Sequence, residues 1–256
     1  YYGEMEAKTN IRHLLKLDTS SELHIIEHFS GNARYNVVIE GFLDSNSTLR
    51  HNQLMSRFLT NSIITHFFVN CMKSSSIKTV GVNLGIGAVR NEIFLNLDGS
   101  KCSATVAELG VGCGQSSICD NAVFITHHRE SCKSRQIIKN VLSEGAKAVF
   151  QGKIYVDPNA QKTDGYQMSN GLLLDEKSNF LVKPELEIYA DDVICSHGST
   201  SGFLNTEHLF YLKSRGISTR EAQKILVEAF LEEVVEEIDD FEFSQFVRKE
   251  IQKVLV

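Results

Sequence analysis

The stretch YADDVICSHGSTSG, residues 189–202, sets an acidic pair, a thiol and an imidazole close together: Asp191, Asp192, Cys195 and His197. A thiolate and a neutral imidazole are both suitable ligands for iron and iron–sulfur clusters. Residues two apart in a strand project from one face, so Cys195 and His197 emerge side by side with Val193 behind them. Strand rise puts their Cβ atoms about 6–7 Å apart, close enough for both to approach one iron. Two ligands do not close a site. Such clusters usually take four protein ligands, so the remainder would come from a second chain at an interface. The alternative reading makes His197 a polar residue at a strand edge and Cys195 a packing thiol. Asp191 and Asp192 point to opposite faces of a strand and cannot form the opposed carboxyl pair of a glycosidase. They read as turn or edge residues with their carboxylates in water.

A second group, His127, His128 and Cys132, has the spacing HHxxxC, which is not a zinc geometry. The segments LGVGCG and LGIG are glycine-rich but lack the GK[ST] of a phosphate loop, so no nucleotide is expected on this chain. Six cysteines occur, at 71, 102, 113, 119, 132 and 195, with no CxxC among them. The first residues, YYGEMEAKTN, carry no apolar leader, so free thiols in a reducing compartment are expected, most of them buried. They also lack an initiator Met, and a fragment, a processed form or an engineered piece is expected.

The elements that must position these side chains are mostly strands. SELHIIEHF, ARYNVVIEGFL, SIITHFFVN and IKTVGVNLG are β-branched and near-alternating, and strands are expected from about residue 20 to 200. In NEIFLNLDGSKCSATVAELGVG, Ile93, Leu95 and Leu97 face one way and Glu92, Phe94 and Asn96 the other. After the LDGS turn, Cys102, Ala104 and Val106 alternate with Lys101, Ser103 and Thr105. Gln136–Leu142 reads equally as a helical turn or a strand. Turn signals recur at SGN, LDSNS, LDGS, VGCG and DPNA. Many short strands and two prolines fit a sandwich, a barrel or an irregular solenoid; no fixed period marks a regular hexapeptide helix. Beyond residue 200 the pattern turns helical. Thr206 is a cap candidate with Gly216 closing the first helix, and Ser218 with Glu221 forms a capping box for a helix over 219–238. Its apolar set is Ala222, Ile225, Leu226, Ala229, Phe230, Val234, Val235 and Ile238, opposite a glutamate-rich face. A last helix is expected over 244–256, with Phe246, Val247, Ile251, Val254 and Leu255 as its apolar set.

The 256 residues, 42% of them hydrophobic, suffice for one well-filled domain. A net charge of −6 argues against a general nucleic-acid or acidic-membrane binder, and no apolar run reaches bilayer length.

From FITHHRESCKSRQIIKNVL through AVFQGKIYVDPNAQKTDGYQMSNGLLLDEKSNFLVKPELEIYADDVICSHGSTSG to LFYLKSRGI, the chain resembles the SufB/SufD family, scaffold proteins of the Suf iron–sulfur cluster assembly machinery. The likeness covers roughly residues 120–238, and residues 1–119 match only weakly. The form of YADDVICSHGSTSG resembles SufD rather than SufB. The resemblance implies a right-handed parallel β-helix core over 1–200, its N-terminal part truncated. It also implies a helical domain over 201–256 that docks on the SufC ATPase, and a SufB-like subunit paired through the β-helices. His197, then Cys195, are implied to face that partner and share a transient iron or iron–sulfur cluster with it. His127 and Cys132 fall at family-typical positions, which implies a structural or internal-channel role. The expected function is a non-enzymatic scaffold subunit in the cytoplasm, or in an organellar stroma in a eukaryote. The alternatives are a β-helix enzyme acting on a carbohydrate or acyl substrate through Asp191, Asp192 and His197, or a purely structural interaction subunit without a ligand.

Overall fold

The computed structural model describes residues 2–3, 8–58, 61–85 and 87–255; Val256, expected in the last helix, and Ile86 of LGIG lie outside them. Among the described residues the strands are β1 (Tyr2–Gly3), β2 (Lys8–Leu17), β3 (Glu22–Gly31), β4 (Arg34–Leu43), β5 (Thr48–Met55), β6 (Ser62–Cys71), β7 (Ser76–Asn83) and β8 (Ala88–Leu97). They continue as β9 (Ser103–Cys113), β10 (Ile118–His127), β11 (Lys133–Ser143), β12 (Lys147–Val156), β13 (Thr163–Leu173), β14 (Asn179–Ile188) and β15 (Val193–Phe203). Three helices follow: α1 (Thr206–Ser214), α2 (Thr219–Val235) and α3 (Phe241–Val254).

Odd strands stack in one eight-stranded sheet, β1-β3-β5-β7-β9-β11-β13-β15. Even strands stack in a seven-stranded sheet, β14-β12-β10-β8-β6-β4-β2. Pairs such as β11–β13 and β13–β15 run parallel and in register, so the chain winds between the two sheets as a parallel β-helix. Alternation sorts the side chains. Ile93, Leu95 and Leu97 are buried between the sheets, with Cys102, Ala104 and Val106 beside them. Strand structure begins earlier than residue 20: β2 pairs with β4 along its whole length. The adjacent Leu14 and Leu15 hide its alternation, since Leu14 faces out at 70% exposure. Gln136–Leu142 is strand, part of β11. Inward it carries Ile138, outward Val141 against the helices, so both faces are covered and neither period shows.

One corner repeats. Ser20, Asn46, Ser74, Lys101, Ser131 and Lys162 each take a left-handed φ between 58° and 61°, at intervals of 26, 28, 27, 30 and 31 residues. Each N–H there donates to the coil above, as Ser74 N does to Ser100 O at 2.8 Å and Ser131 N to Gln161 O at 2.8 Å. The coil is therefore regular in space while its length varies, which is why no fixed period appears. Just past this corner a column of small donors seals the turn. Ser75 Oγ donates to Met72 O at 2.6 Å, Cys102 Sγ to Gly99 O at 3.1 Å and Cys132 Sγ to the same carbonyl at 3.2 Å. Four of the six free cysteines are buried, Cys113 is exposed and Cys195 half-buried. Burial pushes the Cys71 and Cys119 thiols up to about 12.

The helices lie on the outer face of the eight-stranded sheet. Val227, Leu231, Val234 and Val235 of α2 and Val247 and Ile251 of α3 share a core with Leu54, Val80, Val82, Leu109, Val141 and Leu172. The buried stripe of α2 thus runs through Val227 and Leu231, while Ile225 and Ala229 of the expected set are exposed. Helix α2 and the turn after it direct glutamates to basic residues of the sheet and of α3: Glu233 meets Lys139, Glu232 takes Arg248 of α3, and Glu237, just past the helix, meets Lys78 at 3.3 Å. The apolar stripe of α2 is occupied by the chain's own sheet. Asn205, not Thr206, caps α1, and Asp240 caps α3, which starts at Phe241, three residues before the expected Ser244. Ser218 caps α2 as its capping box requires, accepting from Glu221 N at 3.2 Å. Replacing Ser218 with Ala is expected to lower stability by about 1 kcal/mol, read as a shift in denaturant midpoint at unchanged m-value. No helix among the described residues is long and apolar enough to cross a membrane.

Candidate metal-ligating edge at the open end of the solenoid

Strands β14 and β15 form the last coil, each terminal in its sheet, with one side of the backbone ladder paired. Register sets Cys195 opposite Gly165 and His197 opposite Gln167 of β13. Cys195 turns inward and packs with Ile154, Val156, Ala160, Leu186 and Val193. Glycine at 165 admits it, since a Cβ there would lie 3.2 Å from the Cys195 sulfur. Burial pushes this thiol up; a backbone hydrogen bond at Gly165 pulls the other way, and the Asp164 charge adds to the rise. The raised thiol favours the protonated form of Cys195. His197 shares the inward-facing parity but is exposed, because no coil covers it.

Asp191 and Asp192 are exposed residues of the preceding turn. The Asp192 N–H donates to Gln161 Oε1 at 2.9 Å and its carbonyl accepts from Lys162 N, so main-chain bonds fix this corner. Among the described residues, no three His, Cys, Asp or Glu side chains converge to hold a metal ion. The HHxxxC residues separate. His127 is buried with Nε2 2.9 Å from Ser134 Oγ, His128 pairs outward with Asp157 at 2.5 Å, and Cys132 belongs to the corner column.

Polar residues inside the solenoid are the feature that motif reading misses, although inward parity at a polar residue is a usable signal. Glu27 lies 2.9 Å from His51 Nε2, and His51 Nδ1 lies 2.9 Å from Thr79 Oγ1. Burial alone would raise the Glu27 carboxyl, but the hydrogen bond and charge of His51, with His13, hold it below its usual value. Glu108, 3% exposed, accepts from Asn91 Nδ2 at 3.2 Å. Burial outweighs that bond and pushes Glu108 up to about 8. Thr65 donates to Asn91 Oδ1 at 2.7 Å and Asn91 donates to Asn121 Oδ1 at 3.0 Å, a row along the even-numbered sheet that the Asn91–Glu108 bond ties to the odd-numbered sheet.

Two in-register sheets wound as a parallel solenoid, strapped by helices and ended by an edge strand, paired on one side only and carrying an imidazole, define a β-helical scaffold. The family profile described as "SUF system FeS cluster assembly, SufBD core domain" matches residues 2–230, and the chain belongs to this family of assembly scaffold proteins. It is 33% identical to the iron–sulfur cluster assembly protein SufD of Escherichia coli over 96% of its length and 59% of that protein. It is 27% identical to the chloroplastic protein ABCI7 of Arabidopsis thaliana over 99% of its length and 55% of that protein. With SufD of Plasmodium falciparum it shares 27% identity over 96% of its length and 17% of that protein. The chain thus spans a little over half of the first two relatives. Within the SufB/SufD family the chain is SufD-like.

Proposed function

We propose that this chain is a scaffold subunit of a Suf complex whose open end pairs with a SufB-like solenoid. His197, and secondarily Cys195, complete there a transient iron or iron–sulfur site with ligands from that partner. The observation that carries the reading is the placement of His197: exposed, on the last strand, beside an edge of unpaired backbone groups. Such an edge favours strand addition by another chain. The cluster is cargo, held by too few groups of this chain to be resident. Docking of a SufC ATPase is assigned to the helical end. The apolar stripe of α2 is occupied by the sheet, whereas α1 has no buried residue and exposes Phe210 at 75% and Tyr211 at 58%. An exposed aromatic pair suits a protein contact. The chloroplastic relative fits a stroma as well as a cytoplasm as the place of action.

The test is co-purification with SufB-like and SufC-like partners, followed by anaerobic iron and sulfide analysis. His197→Ala is expected to leave the complex intact and remove most of the bound iron and sulfide. Unchanged loading would reject the ligand role, and failure to recover either partner would reject the scaffold reading. A purely structural subunit is the second reading, favoured by the inward packing of Cys195 and its raised thiol. Intact loading in both His197→Ala and Cys195→Ser would select it.

A further inference from the structure

The interior of the last coils holds polar groups that the described residues do not serve. Both amide atoms of Gln136, Asn140 and Gln167, the Ser169 hydroxyl and His127 Nδ1 are buried without a hydrogen-bond partner among the described residues. Gln136, Asn140, Gln167 and Ser169 are each 0% exposed. Amides stacked in register on parallel strands can bond to one another as a ladder, and here they do not. Glycines explain the geometry. The Gln167 amide lies over Gly152, where a Cβ would come within 2.6 Å of its carbon, and Asn140 Oδ1 lies over Gly110 in the same manner. The Gln167 amide thus sits against the backbone at Gly152, away from its ladder mate Gln136, while Asn140, flanked in register by Gly110 and Gly171, has no side-chain amide beside it to bond.

Buried amides left unserved are costly, and in folded proteins such groups are met by ordered water. Access is visible in the register. Gln136 of β11, Gln167 of β13 and His197 of β15 are successive partners on one inward row, and His197 is exposed. We infer that waters file along the inside of the solenoid from Gln136 and Asn140 past Gln167 and Ser169 and exchange with solvent at the open end beside His197. The file continues inward toward the hydrogen-bonded set Asn121, Asn91 and Glu108, so the imidazole at the rim communicates with a polar interior. This inference rests on the fold and stands whether or not His197 binds iron.

Oxygen-17 water relaxation dispersion on the full protein counts long-lived internal waters. Gln136→Leu/Gln167→Leu is expected to lower that count by about two, one for each amide removed. An equal count in protein and variant, or no dispersion in the protein itself, overturns the proposal. Gln167→Met alone carries the same comparison if the double variant does not fold. His197→Phe is expected to lengthen the water residence time at unchanged count; an unaltered residence time overturns the route past residue 197.

Discussion

Glu108→Gln is expected to stabilise the protein at pH 8 by on the order of 3–4 kcal/mol while changing little near pH 4.5. Glu108 is buried and accepts a hydrogen bond from Asn91, and burial outweighs that bond and raises the carboxyl from 4.5 to about 8. The folded protein therefore keeps a proton that the unfolded chain has released. Unfolding then releases a proton between these values, and stability falls as pH rises from about 4.5 to about 8, levelling above. Glutamine copies the protonated carboxyl without the titration. Other groups act in the same range. His127, lowered to about 4 chiefly by burial, contributes loss of stability as pH falls from 6.5, the opposite slope. The quantity to follow is therefore the difference between protein and variant, from denaturant midpoints at several pH values. A difference that stays flat from pH 5 to 8 would contradict a neutral Glu108. A widening difference would confirm that the carboxyl is buried in its acid form.

Phe150→Ala is expected to destabilise by about 3–5 kcal/mol. Phe150 is 0% exposed and belongs to the main interior cluster together with Val123, Ile138 and Cys132. Phenylalanine truncation at such a site loses transfer free energy and leaves a cavity between two sheets that cannot close independently. Phe150→Leu should recover more than half of the loss. Chemical denaturation with constant m-value is the measurement, and a loss under 1 kcal/mol would mean that the sheets do collapse locally.

The strands were legible where one face is solvated. Ile93, Leu95 and Leu97 fall inside as their alternation requires. Legibility failed where both faces are covered, as in β11, and where two leucines meet in β2. The solenoid turn was hidden for a different reason: left-handed corners at Ser20, Asn46 and Ser74 are set by backbone geometry and by hydrogen bonds between coils, which tolerate several residue types and unequal spacing. Helix starts followed side-chain chemistry, and Ser218 was readable because its Glu221 partner stands three residues on. The buried stripe of α2 was misjudged at Ile225 and Ala229 because the sheet beneath decides which face is covered. His197 and Cys195 could be singled out by type and parity. Their unequal exposure could not, since it depends on where the stack of coils stops.

A stack in which each turn touches only its neighbours would ordinarily come apart by degrees, from an end inward. Here α2 and α3 bridge side chains from β5 to β13, so five rungs of one wall share a single brace. Slowest amide exchange should fall on that braced wall, and the even-numbered wall should open at lower free energy. The last rung, β15, lies beyond the brace and contributes no side chain to it, so its amides are expected to exchange sooner than those of β5 to β13.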